Sequence, residues 1–335
     1  MRMAVDVMGG DLAPDAAVRG ARLAVEERRD IQVFLVGDRS ALSPELQPMA
    51  NHPQLEWVQA DETIDTAESP VQAVRQKDES SLVKTIRLVR SQKADAAISA
   101  GNTGALMAAG LFLLGRLRGI ERPALTAILP SFHGWGVLVL DVGANLDPRP
   151  VQLYQYGVMG SVYCREVYGI ESPRVALLNV GLEPEKGPPV VREAHQLLTS
   201  DPQLTFVGNL EPRELLQGHA DVVVTDGFSG NVALKAIEGT ARDIFREVRG
   251  ALLGNWRRKL GALLVKDGFQ ALRTRWDYQE QGGAPLLGLN HIVYKCHGSS
   301  DERAFYRTLL RADDYCRHES QERIRERIKE GAEGL

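Results

Sequence analysis

The stretch AAISAGNTGALMAAG at residues 96–110 determines how the rest of the chain is interpreted. A short apolar run at residues 96–98 leads into the turn SAGNTG, and strong helix formers follow from residue 105. The pattern predicts a strand, a tight turn and a helix capped by Thr103. Glycines let a ligand approach the backbone, and the N–H groups at a helix N-terminus favour an anion. A simple strand-to-helix turn has the same pattern, so this loop alone does not identify a site.

The same order of residue types recurs in five further loops. In each of them an apolar or β-branched run breaks into Gly, Ser, Asn or Asp before a helical pattern begins. These loops are VDVMGGD at 5–11, DVGAN at 141–145, the segment 179–187, TDGFSGN at 225–231 and CHGSS at 296–300. Strands that alternate with helices predict a mostly parallel sheet, whose strand C-termini lie along one edge. We therefore expect all six loops to gather at a single edge of the sheet.

The composition is that of a globular protein, and it argues against nucleic-acid binding and against a membrane-spanning segment. The chain has 335 residues, of which 44% are hydrophobic and 25% charged, with a formal net charge of −4. A pI of about 6.0 argues against binding to nucleic acid, which needs a basic surface. The sequence has no apolar run of 18 residues that could cross a membrane. Its N-terminal segment enters a strand without the pattern of a secretory signal, so we expect a cytoplasmic protein.

One pair of strands is expected to break the parallel pattern. Residues 124–129 and 136–140 have strand character, and the link between them is short enough to favour an antiparallel hairpin. His133 in that link is expected to be an exposed turn residue. Farther along, residues 301–329 have the charged and periodic pattern of one C-terminal helix.

No motif for a nucleotide or for a covalent intermediate is present. GxGxxG, the P-loop and GxSxG are all absent, so Ser229 is not in a nucleophile elbow. The three cysteines lack the spacing of a disulfide framework or a zinc site, which predicts buried thiols at Cys164, Cys296 and Cys316. The helix N-termini that remain, with Asn, Ser and Thr, suit phosphate and an acyl carbonyl. Orthophosphate is already a charged oxygen nucleophile, so the protein needs only to position it and to stabilise the oxyanion.

A long helical pair is expected to protrude from an otherwise single α/β unit that spans residues 1–335. Its helical pattern runs from residue 232 to about 249 and again from 255 to 275. The second part carries arginines and lysines beside leucines and a tryptophan. Such a pattern suits a helix lying on an anionic membrane surface, and equally a dimer interface. The residues expected at the lipid are Leu252, Leu253, Trp256, Leu260, Leu263 and Leu264.

Eight segments, taken in order, resemble a known family. They are VDVMGGD, SAGNTGALMAAG, GIERPAL, DVGANLD, the KG at 186–187, ADVVVTDGFSGNVALK, GGAPLLG and HGSS. Together they run from residue 3 to about residue 312 and resemble the bacterial phosphate acyltransferases of phospholipid synthesis. The chain departs from the family pattern at Leu182, where an acidic residue is usual and Glu183 is the nearest substitute. It departs also at Thr66, where methionine is more common.

The resemblance implies transfer of a long-chain acyl group from acyl-carrier protein to orthophosphate, without a metal or an organic cofactor. The acyl phosphate would supply a membrane acyltransferase that acylates glycerol 3-phosphate. The implied fold is an α/β/α sandwich with a mostly parallel sheet, like those of phosphotransacetylases and of isocitrate and isopropylmalate dehydrogenases. The resemblance also implies a homodimer with the long helices at its interface and a tip that touches the membrane.

On this basis the loop residues receive candidate roles. Lys186 either neutralises phosphate charge or forms a surface ion pair, and His297 either carries a proton or is satisfied at a helix N-terminus. Asp6 and Asp141 either orient hydrogen-bond donors or cap helices. Asn231 is assigned to catalysis through its amide. The other residues expected to bind phosphate or the thioester oxygen are Gly9, Gly10, Ser99, Gly101, Asn102, Thr103, Gly143, Asn145, Gly227, Ser229, Gly230 and Ser299.

Two other functions are open at the level of sequence. A metal- and NAD-dependent decarboxylating dehydrogenase on the same fold needs clustered acidic side chains for Mg²⁺ or Mn²⁺, but the acidic residues of the loops are scattered. A non-catalytic scaffold for lipid or carrier protein would use the helix rich in leucine and tryptophan. Release of acyl phosphate without metal or NAD separates these functions from acyl transfer.

Overall fold

The computed structural model describes residues 1–276 and 282–334, except for the side chains at positions 256, 257, 271, 273–275 and 331–334. The strands in these ranges are β1 (Arg2–Asp6), β2 (Gln32–Gly37), β3 (Leu55–Gln59), β4 (Ala96–Ser99), β5 (Ala124–Leu129), β6 (Val137–Leu140), β7 (Arg174–Leu178), β8 (Thr205–Leu210), β9 (Val222–Val224), β10 (Ala284–Leu287) and β11 (Ile292–Lys295). The helices are α1 (Asp15–Glu27), α2 (Gln47–Ala50), α3 (Pro70–Gln76), α4 (Ser81–Arg90), α5 (Thr103–Ala109), α6 (Pro150–Tyr168), α7 (Pro189–Ser200), α8 (Gly227–Leu253), α9 (Trp256–Leu264), α10 (Lys266–Trp276), α11 (Glu302–Arg317) and α12 (Ser320–Gly334).

Alternate residues of the central strands are packed into cores on opposite faces of the sheet. Met3 and Val5 of β1 belong to one core, whereas Ala4 between them belongs to the other. A strand that is buried on both faces needs a continuous apolar run, which explains why these strands lack a polar alternation. Residues of α1, α6 and α11 cover the first face, and residues of α4 and α5 cover the second. The predicted α/β/α layering is therefore confirmed.

The strands form one 11-stranded sheet in the order β3-β2-β1-β4-β11-β10-β5-β6-β9-β7-β8. Parallel pairing joins the strands from β3 to β11, and it also joins those from β6 to β8. Between these two sets, β10 and β5 are antiparallel to both of their neighbours. The mostly parallel sheet and the β5–β6 hairpin are thus confirmed, and His133 in the hairpin link is exposed as expected.

The same topology contradicts the expectation that all six loops leave one edge. Strand direction reverses three times between β11 and β6, so β6, β9 and β7 run opposite to β1, β4 and β11. The loops after β1, β4 and β11, called here the first group, therefore leave one edge of the sheet. The loops after β6, β7 and β9, called the second group, leave the other. The expectation was wrong because β10, a four-residue strand containing a proline, was not recognised in the segment GGAPLLG.

Two predicted helices also have different limits. The helix that follows the opening loop was expected to reach about residue 117, but α5 ends at Ala109 and continues only as a π-helical turn over Gly110–Leu114. The single helix expected over 301–329 is divided into α11 and α12. Glu319 at the division has a positive φ of 51°. Neither break contains a proline that would signal it in the sequence.

Candidate active site

Asp6, at the end of β1, organises the loops that follow β1 and β4. Its carboxylate accepts hydrogen bonds from Ser99 Oγ at 2.7 Å and from the Met8 N–H at 3.2 Å. Ser99 Oγ in turn accepts one from the Gly101 N–H at 3.0 Å. Burial raises the pKa of the Asp6 carboxyl, and the hydrogen bond from Ser99 opposes this shift. Of the two roles predicted for Asp6, these contacts agree with orienting hydrogen-bond donors and not with capping a helix.

Asn102, not Thr103, caps α5. The Asn102 Oδ1 accepts from the Ala105 N–H at 3.0 Å, and Thr103 is the first residue of the helix. The Asn102 Nδ2 donates to three carbonyl oxygens of the segment 65–68, at 3.1 to 3.2 Å. Asn and Thr are both good caps, so the sequence did not distinguish the two positions. Because the buried amide is occupied by these bonds, the loop offers a ligand its backbone and not the Asn102 side chain.

Lys295, at the end of β11, was missed by the sequence analysis. It lies beside Ser99 in the register of the sheet, and its Nζ donates to the carbonyl oxygens of Ala100, at 3.1 Å, and Cys296. Burial lowers the pKa of the Lys295 amine to about 8, while nearby Cys296 and Asp6 act in the opposite direction. A lysine that closes an apolar strand usually projects into water, so only the register with β4 reveals its position.

The loop after β11 is bonded to the loop after β1. The Asp11 N–H donates to the Gly298 carbonyl at 2.7 Å. Gly10 has a φ of 101°, and a Cβ there would meet that same carbonyl oxygen at 2.9 Å. Gly9 similarly lies against the backbone of Gly101. The three loops of the first group are therefore in direct backbone contact, and the close approach explains their glycines.

His297 projects from this group toward α8. Its Nδ1 lies 2.9 Å from Ser299 Oγ, and its Nε2 lies 3.4 Å from Nζ of Lys235 on α8. Lys235 also forms an ion pair with Glu238 at 2.7 Å. Partial burial lowers the pKa of the His297 imidazole, which favours its neutral form near pH 7. The sequence singled out His297 and Ser299 but not Lys235, although Lys235 ends the segment quoted for the resemblance.

Asp141, after β6, is the centre of the second group of loops. Its carboxylate accepts hydrogen bonds from the backbone N–H groups of Leu125 at 3.0 Å, Ala144 at 3.0 Å and Asn145 at 2.6 Å. The Asn145 side chain donates a fourth bond at 3.1 Å. Burial raises the pKa of Asp141 to about 6, although these donors favour the ionised form. Like Asp6, this residue orients a loop and does not cap a helix.

α8 begins against this loop. Its N-cap is Asp226, whose side chain accepts from the Ser229 N–H at 2.7 Å. The Gly227 N–H donates to the Asn145 carbonyl at 2.8 Å. A Cβ added to Gly230 would overlap the carbonyl oxygen of Asp141, so only glycine lets the first turn approach this closely.

Asn231 lies at the point where this turn becomes exposed. A Cβ on Gly143 would be 3.0 Å from Asn231 Nδ2, which places the amide beside the loop of Asp141. Gly143 has a φ of 137°, a conformation that L side chains rarely adopt. The predicted residues Gly143, Asn145, Gly227, Ser229, Gly230 and Asn231 are therefore brought together around Asp141.

α8 connects the two groups of loops, although they leave opposite edges of the sheet. Lys235, which contacts His297, lies about one helical turn beyond Asn231. A cavity of about 980 Å³ is bordered by Asp11, His297 and Ser299 of the first group and by the length of α8. Both groups therefore meet at the beginning of α8, and polar residues of the first group border a large cavity there.

The chain is similar to proteins of known families over nearly its whole length. A family described as fatty acid synthesis proteins matches residues 1–323. A phosphate acyltransferase of Oceanobacillus iheyensis is 51% identical over 93% of this chain and 92% of its own length. One of Bacillus licheniformis is 46% identical over 99% of this chain and 100% of its own. The chain belongs to the phosphate acyltransferase family.

Solved structures with a similar fold agree with the predicted fold class. A phosphotransacetylase from Streptococcus pyogenes has a TM-score of 0.59 and 18% identity, covering 96% of this chain and 94% of that one. A branched-chain phosphotransacylase from Enterococcus faecalis also has a TM-score of 0.59, with 16% identity and coverages of 93% and 98%. At these identities the likeness establishes the fold alone. The predicted phosphotransacetylase-like α/β fold is confirmed for this phosphate acyltransferase family member.

Lys186 is not among the residues that meet at α8. It is exposed in the loop after β7, where its carbonyl accepts from Asn179 Nδ2 at 3.0 Å and its N–H donates to the Glu183 carbonyl at 3.1 Å. Asn179 fills the space beneath Gly187, which has a φ of 83°. These contacts fix the backbone of the loop. The role of Lys186 toward phosphate stays a prediction.

The residues predicted to contact lipid differ in their exposure, and their contact with lipid stays a prediction. Leu260, Leu263 and Leu264 of α9 are exposed, by 62%, 68% and 88% of their surface. Leu252 and Leu253 instead line the cavity along α8, and Leu253 is also partly exposed. The side chain of Trp256 lies outside the described residues. No helix in the described ranges combines the length and the apolar character needed to cross a bilayer.

The cysteines and acidic residues were predicted to form neither a disulfide nor a metal site. Cys164 and Cys296 are buried free thiols as expected, whereas Cys316 is only partly buried. Among the residues that the structure describes, no group of three or more His, Cys, Asp or Glu side chains is arranged to hold a metal ion.

Proposed function

We propose that this protein transfers a long-chain acyl group from acyl-carrier protein to orthophosphate. The observation that carries the proposal is the contact of Lys235 with His297, which borders a largely apolar cavity. A cation, a neutral imidazole and glycine-rich loops there suit a phosphate and a thioester carbonyl, while the cavity suits an acyl chain. The names of the relatives, phosphate acyltransferases, agree with this chemistry.

The reaction needs no covalent enzyme intermediate. A phosphate oxygen attacks the thioester carbonyl, and the new C–O bond gives a tetrahedral oxyanion. As the oxyanion collapses, the C–S bond breaks and its electron pair leaves with sulfur. The proton of the attacking hydrogen phosphate then passes to the carrier thiolate, so acyl phosphate and a free thiol result without net release of a proton. Neutral His297 is placed to relay that proton.

Positioning and electrostatic stabilisation account for the expected rate enhancement. Holding phosphate against the thioester contributes up to about 7–11 kcal/mol, and each hydrogen bond to the oxyanion about 3–4 kcal/mol. We assign the oxyanion contact to the side-chain amide of Asn231, which is exposed beside Gly143. Lys235 and Lys295 provide positive charge at the first group of loops. Lys186 would add its charge if its exposed side chain folds over bound phosphate.

A direct assay tests this assignment. The purified protein is incubated with palmitoyl-carrier protein and phosphate, and acyl phosphate is trapped with hydroxylamine as the hydroxamate. We expect hydroxamate that depends on phosphate and forms equally with EDTA present and without NAD. Absence of product, or product only with metal and NAD, would reject acyl transfer in favour of a dehydrogenase. Binding of the carrier with its thioester unchanged by phosphate would indicate a scaffold.

We also propose that α9 rests on the anionic membrane surface that holds the enzyme consuming the acyl phosphate, a glycerol-3-phosphate acyltransferase. Leu260, Leu263 and Leu264 are exposed beside the cationic Arg258 and Lys259, the pattern of an interfacial helix. Sedimentation with phosphatidylglycerol vesicles should show binding that is weakened by Leu264→Asp. The exposed Leu23→Asp on α1 is the matched control, and equal binding by both variants would remove the membrane contact.

A homodimer through α8 is the remaining part of the proposal. Of the 27 residues of α8, the structure buries only Gly227 and Gly230. Ala236 and Ile244 lie exposed on a side of the helix that does not line the cavity. Burial of this face by a second copy would shield its apolar groups from water. Sedimentation equilibrium should give twice the chain mass, and Ala236→Arg should shift the protein toward monomer.

A further inference from the structure

We propose that the cavity between α8 and the α9–α10 segment binds the acyl chain of the donor, an inference that rests on the proposed acyl transfer. Its apolar wall on α8 is formed by side chains that recur at intervals of one or two helical turns. These are Ile237, Ala241, Phe245 and Leu252. The facing wall is apolar as well and is formed by Ala262, Val265 and Phe269. Phe245 and Phe269 meet edge to face, with ring centroids 6.0 Å apart, and so join the two walls.

The cavity is continuous with the candidate active site. Asp11, His297 and Ser299 border it, and Lys235, which contacts His297, lies near the beginning of α8. Leu253, which also borders the cavity, is the last residue of the same helix. A chain lying along α8 would therefore have its carbonyl near His297 and would extend from there in the direction of Leu253. This continuity with the reacting groups favours the substrate's own chain over an unrelated apolar ligand.

The dimensions of the cavity fit a long chain. Ile237 and Leu253 are 16 positions apart, and at 1.5 Å per residue the helix face between them is about 24 Å long. A fatty acyl chain in a bilayer spans about 15 Å, half of the hydrocarbon thickness. The volume of about 980 Å³ is at the upper end of the range found for sites that enclose small organic ligands.

The cations along the cavity lie at its rim. The Arg242 and Arg246 side chains are 78% and 70% exposed, and both form ion pairs with Asp243, at 3.7 and 3.2 Å. Their charged ends thus remain in water, while their methylene stems extend the apolar surface. Arginines placed in this way leave the walls of the cavity available to an apolar chain.

Two residues that were predicted from the sequence to contact the membrane have a different role in this inference. Leu252 and Leu253 line the cavity, whereas the strongly exposed leucines belong to α9. We infer that Leu252 and Leu253 border the far end of the cavity, and that membrane contact is confined to α9. The two apolar surfaces are adjacent, so a product could pass from the cavity to the membrane over a short distance.

The test compares two donors that differ only in chain length, butyryl- and palmitoyl-carrier protein. In the wild type, KM should fall with chain length by up to about fourfold for each methylene that becomes buried. Ala241→Phe fills the middle of the cavity and should lower the palmitoyl-to-butyryl ratio of kcat/KM at least tenfold. Ala251→Phe makes the same change at an exposed position of α8 that does not border the cavity and should leave the ratio unaltered. The ratio is the readout because a folding or association defect lowers both rates together.

Each outcome has a distinct meaning. Acyl phosphate from the wild type, with a ratio that Ala241→Phe leaves unchanged, would overturn the cavity assignment while the proposed function stands. Equal loss with both donors, accompanied by dissociation in the centrifuge, would assign the cavity to a second copy of the chain. Absence of acyl phosphate from either donor with the wild type would reject the proposed function itself.

Discussion

At the scale of single residues, Asn231 is an exposed amide that the fold does not need for a cap or a core contact. Asn231→Ala should therefore change the free energy of unfolding by no more than about 0.5 kcal/mol. Loss of an oxyanion donor should lower kcat by about 10²–10³-fold. Hydroxylamine trapping measures the turnover and urea unfolding the stability. Asn51→Ala, at an exposed position outside the candidate site, is the control. An undiminished kcat for Asn231→Ala would show that the Asn231 amide does not belong to the site.

Lys295 should give the site a characteristic pH dependence. Its pKa of about 8 means that the amine is a cation at lower pH and becomes neutral as the pH rises through that value. If the positive charge attracts phosphate, the KM for phosphate should increase above about pH 8. In Lys295→Arg the guanidinium remains charged, so this increase should move to higher pH. Lys295→Met lacks the charge throughout, so its KM should already be raised below pH 8 and should not increase further above it. Superimposable profiles for the three proteins would contradict a role for the charge.

The sequence revealed the acidic residues of the site but not its central lysines. Asp6 and Asp141 each follow an apolar run and stand two or three positions before a glycine, a pattern that a strand followed by a loop produces. Lys295 has no such signal, because its meaning depends on pairing with Ser99, which lies far away in the chain. Lys235 likewise acquires its role only where α8 meets the loop of His297. Residues whose role depends on long-range strand register or helix packing could therefore not be predicted from the local sequence pattern.

At the scale of elements, two of the four glycines of α8 lie in opposite environments. A Cβ on Gly230 would overlap the Asp141 carbonyl, whereas one on Gly239 would have no atom within 4 Å. Gly230→Ala should thus lower the free energy of unfolding by roughly 1–3 kcal/mol, because the first turn must move away from the Asp141 loop. Gly239→Ala should raise it by about 0.5–1 kcal/mol through helix propensity alone. Urea unfolding measures both, and equal effects would mean that the contact at Gly230 is not tight.

Element type was predictable wherever a segment carried its own signal. The β5–β6 hairpin followed from two apolar runs and a short link, and the start of α5 from the glycine-rich turn. β10 carries a proline and few residues, so it becomes a strand only by pairing with β11 and β5. The break between α11 and α12 lies at Glu319, which adopts a conformation usually left to glycine. Tertiary packing overrides local preference at both places.

At the scale of the whole molecule, the reversal of strand direction explains why two groups of loops reach α8 from opposite edges of the sheet. The first group of loops and the second leave opposite edges of the sheet, and α8 spans the distance between them. A fully parallel sheet would have placed all six loops on one edge, as expected from the sequence, but without a helix crossing between them. The cavity along α8 is therefore a consequence of the mixed topology that β10 and β5 introduce.

The two ends of the chain are held together by a buried carboxylate. Asp313 on α11 is fully buried and accepts from Arg28, at the end of α1, at 2.8 Å and from Arg317 at 2.8 Å. Gly20 of α1 lies so close to Phe305 of α11 that a Cβ would meet it at 2.5 Å. The helix pair thus brings residues near position 20 and near position 310 into one packed layer beside β1.

Removing one partner of this carboxylate should destabilise the whole protein. Arg28→Met takes a charge-assisted hydrogen bond from a buried carboxylate, which is expected to cost about 2–3 kcal/mol, since Arg317 still pairs with it. Arg2→Met breaks the more exposed pair with Asp95 and should cost no more than about 1 kcal/mol. Thermal and urea unfolding, followed by circular dichroism, measure both variants. If the two costs were equal, the tie between the chain ends would depend on the apolar contact at Gly20 and not on the buried charge.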